Sequence, residues 1–250
     1  MTSRVQRVLV VVPICQEAQR LSSCLTHLER SIRGLREQRG IPVEVVLVLD
    51  RCTDGSVALA HDYAANHPMV EVVSCRAGTA GRARCIGVET ALRGRLDIPL
   101  EQIWIGNTDA DSTVPPRWLL RQVELADQGA DLVTGTVEPV EMPSAAQLRS
   151  WQQAHRLEEG HPYVHGANLG VRGSVYRSVG GFRDVPEHED ALLVEAARCQ
   201  GYSLVATDTT RVRTSARADG RTPGGFAGYV RGLDCSPALT TPSGPASGEN

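Results

Sequence analysis

Lysine is missing altogether from the 250 residues, and all 26 basic side chains are arginines. Chemistry that needs a lysine amine is therefore excluded: there is no Schiff base and no lysine clamp, so a phosphate must be met by arginine, a metal ion or backbone N–H groups. Cysteine occurs seven times, an odd and scattered count with no Cys-x-x-Cys pair. A disulfide scaffold is out, and free thiols in a reducing, cytoplasmic compartment fit instead. Long apolar runs are absent too. The longest, Val8 to Cys15, is interrupted by Pro13 and falls far short of the ~20 residues that a membrane-spanning helix needs. Arg4 and Arg7 precede it as in a signal peptide, but the run is β-branched and lacks a small-residue cleavage site, so it reads as a first strand. Neither sign of charge is in excess: 26 basic residues against 29 acidic give a net charge of -3, with no reason to expect a nucleic acid partner.

What remains is the composition of a globular protein, 41% hydrophobic and 22% charged. A chain of this length buries roughly 70–75% of its unfolded surface, so any metal would serve chemistry rather than hold the fold together. Short Val/Ile/Leu runs alternate with helical periodicity, the pattern of an α/β fold whose mostly parallel sheet is covered by helices. Strands are expected at Arg7–Val12, Val43–Leu49, Val70–Ser74, Gln102–Asn107 and Asp131–Val137. Between the first two, Leu21, Leu25, Leu28, Ile32 and Leu35 form one helical stripe. Arg30, Arg33, Arg36 and Arg39 flank it as a solvated face, which leaves peripheral contact with an anionic membrane surface open. Further helices are expected from Thr53 or Asp54, near Thr79–Arg93 and after Pro115-Pro116. Beyond residue 138 the alternation loosens. A helix over Ser144–Glu159, an extended piece Gly166–Val171, a short helix from Ser174, another helix from around Glu187–Asp190 to Gln200, and strands Tyr202–Ala206 and Thr210–Arg213 complete the pattern. Cys235 to Asn250 are rich in Pro, Ser, Gly and Thr and read as a disordered tail.

In an open α/β sheet, ligands sit outside the carboxyl ends of the strands. Three strand ends here are polar: Pro13 to Glu17, Asp50 to Ser56, and Asn107 to Asp111. Asp109 and Asp111, at i and i+2 on an extended segment, point to one side and repel unless a cation sits beside them. They either hold a hard divalent ion, Mn²⁺ or Mg²⁺, or cap the turn that follows.

Five pieces in order resemble glycosyltransferase family 2, whose members have the GT-A fold. They are the Val-Val-Pro strand with Glu17, the Asp50–Ser56 segment, Ala83-Arg84 with Gly87, the Asp109-x-Asp111 pair, and Gly180-Gly181-Phe182 followed by Glu189-Asp190. The likeness covers roughly residues 7–215. It implies a Rossmann-like nucleotide-binding half, residues 5–137, and a smaller mixed acceptor-side half, 138–234, in one domain of residues 1–234. The activity it implies is transfer of a sugar from a UDP- or GDP-sugar to an unknown acceptor hydroxyl.

Roles for most of the residues follow from that resemblance; those of the three histidines as metal ligands and of the C-terminal arginines are read from the residues themselves. Asp50 would accept the ring N–H of uracil or guanine, with Pro13 and Glu17 beside the nucleoside and Arg84 as the basic residue near the nucleotide. Asp109 and Asp111 would hold the metal and diphosphate, Asp111 being the direct ligand. Glu189 and Asp190 are the candidate catalytic acids, and Asp190 is the base of an inverting displacement. His165 and Asn168 are candidate donor-sugar or acceptor contacts, with a structural role for His165 equally open. His161, His165 and His188 are alternatives for a further metal ligand. Arg217 and Arg221, before Pro223-Gly224-Gly225, either belong to a loop that closes over the diphosphate or form a solvated charge run.

The departures are Gln16 where Asn is usual, Arg51-Cys52 for a small Gly-Ser pair, and Cys85 for an Asn. A nucleotidyltransferase would carry a glycine-rich loop after the first strand, and residues 13–17 contain no glycine. A nucleotide-sugar-binding protein without turnover is the other alternative.

Overall fold

The computed structural model describes residues 3–93 and 98–217. Strands β1 (Arg7–Ile14), β2 (Val43–Asp50), β3 (Val70–Cys75) and β4 (Ile103–Asn107) lie parallel in the order β3-β2-β1-β4. They are connected by α1 (Leu21–Arg39), α2 (Ser56–Asn66) and α3 (Ala80–Leu92). On the far side of β4 the sheet turns mixed. The strand β7 (Leu169–Arg172) is antiparallel to β4, β6 (Leu132–Val140) is antiparallel to β7, β8 (Leu204–Ser215) is parallel to β6, and the short β5 (Ser112–Thr113) closes the edge. The outcome is one eight-stranded, mostly parallel sheet.

The continuous apolar run of β1 is explained by helices on both faces. Val8, Val10 and Val12 join the stripe of α1 and the buried Trp104 and Trp118, while Leu9 and Val11 join α3 in a second core. All five residues of the α1 stripe are buried, and the four flanking arginines are exposed. Gly87 lets α3 lie directly on the sheet, since a Cβ there would stand 2.4 Å from Val11 Cγ1 and 2.9 Å from Val48 Cγ2. The helix after the two prolines is α4 (Trp118–Asp127).

Three expectations change. The second helix begins at Ser56, not at Thr53 or Asp54, because the Asp54 carboxylate folds the preceding turn by accepting from the N–H groups of Ala18 and Ser56. The helix expected over 144–159 is α5 (Ala145–Ala154); it stops where His155 turns extended, ahead of the left-handed Gly160. The two strands expected at 202–213 are the single strand β8, whose pairing with β6 shifts register between Gly135 and Val137. At that shift the Asn168 amide donates to Thr136 O and Thr210 O, both at 2.8 Å, and thereby joins the two strands. Helices α6 (Gly173–Ser178) and α7 (Glu189–Cys199) complete the second half of the described chain. Among the described residues no helix is long and apolar enough to cross a membrane. The expected tail, 235–250, lies outside the described residues.

Candidate functional site

The carboxyl ends of β1, β2 and β4 open on one edge of the sheet, and two adjoining clefts form there. The first, about 470 Å³, is lined by Pro13, Glu17, Asp50, Asp109, Asp111 and Arg217. The second, about 390 Å³, is lined by Trp151, His155, His165, Glu189 and Asp190. Arg84 and Asp109 belong to both and form the wall between them.

Arg84 stands one turn into α3, whose start is set by the left-handed Gly78 and by Thr79, the side chain of which accepts from Arg82 N–H. Its guanidinium is buried. One Nη donates to Asp109 Oδ1 at 2.5 Å, and the other is bonded to Glu189 Oε1 on α7. Gly166 makes room for the group, since a Cβ there would lie 2.5 Å from Arg84 Nη2. Burial pushes the Glu189 carboxyl up and Arg84 pulls it back. Glu189 is thus committed to holding Arg84.

The first cleft gathers carboxylates. Asp50 accepts from Gly78 N–H at 3.1 Å, with Arg51 Nε 3.4 Å away. Asp111 is pushed up to about 6 by burial, then by the negative charges of Asp109 and Glu17, against the pull of Arg217. Arg217 donates to Glu17 Oε2 at 2.7 Å and lies 3.4 Å from Asp111 Oδ2. Among the described residues no group of three or more His, Cys, Asp or Glu forms a full metal cage, so none of His161, His165 and His188 completes one with the aspartates. Mg²⁺-like ions, however, are commonly held by one or two carboxylates plus substrate phosphates and water. The hard, mutually repelling oxygens of Asp109 and Asp111 fit an ion held in that way.

In the second cleft Asp190 is aimed by two backbone donors: Oδ2 accepts from Gly166 N–H at 2.6 Å and Oδ1 from Ala191 N–H at 2.8 Å. Burial lowers the His165 imidazole to about 4, outweighing the pull of Asp190, so the ring is neutral at neutral pH.

The structure thus brings together Pro13, Glu17, Asp50, Arg84, Asp109, Asp111, His165, Glu189, Asp190 and Arg217. It does not bring Asn168. That side chain is fully buried, with its amide on β6 and β8 and its oxygen accepting from Trp118 Nε1, so it cannot meet a ligand. Of the basic run, Arg211 pairs with Asp208 and Arg213 with Glu138, on the sheet; Arg221 lies outside the described residues. Two features escaped the sequence reading. Gln16, left-handed at φ 58°, has its amide on the backbone N–H groups of Thr53 and Asp54 and clamps the rim of the first cleft. Trp151 and His155 line the second cleft; their i, i+4 spacing on a helix was the available signal.

The family model of glycosyl transferase family 2 matches residues 9–179. A succinoglycan biosynthesis protein, ExoO, of Rhizobium meliloti (strain 1021) is 34% identical over 127 residues, which is 50% of this chain and 33% of that protein. The chain therefore spans about a third of that curated relative. Among solved structures, the mannosyltransferase PcManGT of Pyrobaculum calidifontis, in complex with GDP-Man and Mn²⁺, superposes with a TM-score of 0.62 at 22% identity, covering 88% of this chain and 59% of that one. The S. aureus protein TarS, residues 1–349 in complex with UDP, gives 0.58 at 15% identity over 85% of this chain and 61% of its own. At such identities the two structures share the GT-A fold.

Two outcomes follow from the buried charges. Arg84→Met strands Glu189 without a counter-charge, a loss of about 3–5 kcal/mol; urea unfolding should show it, and the double variant Arg84→Met/Glu189→Gln should recover at least half. A single variant as stable as wild type would exclude the role given to Arg84. In metal-free protein, Asp111 keeps its proton up to about pH 6 when folded but only to 3.8 when unfolded, so stability falls as pH rises through that window. Asp111→Asn should accordingly melt above wild type at about pH 8, the difference closing toward about pH 4; a variant that melts lower at the higher pH contradicts the assignment.

Proposed function

The chain belongs to glycosyl transferase family 2, and we propose that it moves a sugar from a UDP- or GDP-linked donor to an acceptor hydroxyl, with inversion at the sugar carbon. The observation that carries this reading is the shared wall: Arg84 and Asp109 separate a cleft that ends in Asp50 and Glu17 from one that holds Asp190. A donor in the first cleft and an acceptor in the second would meet at that wall.

Asp50, at the end of β2, accepts the ring N–H of the base, and Pro13 and Glu17 border the nucleoside. Asp109 and Asp111 would hold Mn²⁺ or Mg²⁺, which supplies Lewis-acid stabilisation to a departing diphosphate when bound. Arg84, held by Asp109 and Glu189, places a fixed positive charge beside the diphosphate without a side-chain rearrangement. Arg217, the only described arginine that bridges Glu17 and Asp111, provides further positive charge at the same end.

On the acceptor side, the acceptor oxygen attacks the anomeric carbon while its proton passes to Asp190. The bond from that carbon to the diphosphate oxygen breaks, and its electron pair leaves with the nucleotide. The two backbone N–H groups fix Asp190 in direction and leave lone pairs for the hydroxyl. Neutral His165 offers a polar contact to a sugar hydroxyl without adding charge. The free cysteines fit the cytoplasm as the compartment.

Asp190→Asn is expected to lower kcat by roughly 10²–10⁴ while the dissociation constant of the donor stays unchanged in calorimetry with Mn²⁺ present. Wild-type turnover in this variant would dismiss the base assignment. Failure of every UDP- and GDP-sugar to raise the melting temperature, with or without Mn²⁺, would dismiss the donor class.

A further inference from the structure

Arg51 follows directly on β2, and its backbone is left-handed at φ 52°, a conformation that a long side chain seldom adopts unless the surroundings hold it there. Two contacts hold it. Nε lies 3.4 Å from Asp50 Oδ1, and Nη2 donates to the Gly78 carbonyl at 3.1 Å. The guanidinium rests on Gly78, where a Cβ would stand 3.8 Å from both Nη atoms. Gly78 N–H in turn donates to the Asp50 carboxylate. Asp50, Arg51 and Gly78 are thus in mutual contact, and all three line the first cleft.

Both charged groups keep hydrogen-bonding capacity. Among the described residues Asp50 receives a hydrogen bond only from Gly78 N–H, shared between its two oxygens, whereas a carboxylate has about four lone-pair sites. The Arg51 contacts involve Nε and Nη2 and leave the N–H bonds of Nη1 for a ligand, on a side chain that is 54% exposed.

The order of donors and acceptors separates the two candidate bases. Side by side, the carboxylate offers two acceptors and the guanidinium a donor. Guanine presents along one edge an acceptor, O6, followed by two donors, N1–H and the 2-amino group; uracil presents acceptor, donor, acceptor. Guanine satisfies the pair throughout, with its donors on Asp50 and O6 on Arg51. Uracil would set one carbonyl against a carboxylate oxygen, lone pair facing lone pair, and leave both unsatisfied. We propose that the donor is a GDP-sugar rather than a UDP-sugar, and that Arg51 selects it by donating to guanine O6. This rests on the glycosyltransferase reading in which Asp50 meets the base.

Calorimetry on the full chain with Mn²⁺ tests it, with GDP, UDP and inosine diphosphate as probes. GDP should bind about tenfold or more tighter than UDP. Inosine diphosphate, which keeps O6 and N1–H but lacks the amino group, should bind roughly three- to tenfold more weakly than GDP. Arg51→Gly, which the left-handed backbone accommodates, should cut the GDP-to-UDP preference by about threefold or more. The inosine comparison uses the wild-type protein and so holds should that variant fold poorly. UDP binding as tightly as GDP, inosine diphosphate matching GDP, or a preference unmoved in Arg51→Gly overturns the guanine assignment alone. Absence of binding by all three nucleotides removes the donor reading on which it stands.

Discussion

A guanidinium buried between a carboxylate at a strand end and another at the start of a helix is costly to desolvate, and such a group persists where its partners are held rigidly in place. Arg84 meets Asp109 at the end of β4 and Glu189 at the start of α7, residues 25 and 105 positions away. The parallel half and the mixed half of the sheet are thereby tied together at the point where the two clefts touch. The α3 backbone sits close enough for this because Gly87 and Gly81 bring the helix down onto β1, β2 and α7.

The same arrangement distributes charge unevenly. Asp109 shares its negative charge with Arg84, whereas Asp111 and Glu17 are balanced by Arg217, from beyond the end of β8. In a chain without lysine, every fixed countercharge in the site is an arginine, with a planar head that can engage two carboxylates at once. The first cleft is accordingly a place where negative groups converge and cation is in demand, and the second sets the neutral His165 ring beside the carboxylates of Glu189 and Asp190.

How legible this was in the sequence depends on the range of the interaction involved. Strands β1 and β2 were readable because burial on both faces demands continuous apolar runs, and α1 because one buried stripe demands steps of three and four. The roles of Asn168 and Glu189 were not: one is explained by a register shift between β6 and β8, the other by an arginine on a distant helix, and neither leaves a local pattern. The end of α5 was misplaced because the residue types up to Gly160 do not mark His155 as the point where the backbone turns extended. Gln16, an apparent departure at the end of β1, has a plain geometric purpose, since its longer amide reaches the backbone at 53 and 54.

Gly166 serves both clefts. Its missing side chain lets the guanidinium lie flush against the backbone, and its N–H orients the carboxylate across the way. Any substituent there would push out the cation and swing the acid together, so that position has no room to diversify. Room for variation lies instead at Trp151 and His155, which line the second cleft and stack on one another rather than on the guanidinium.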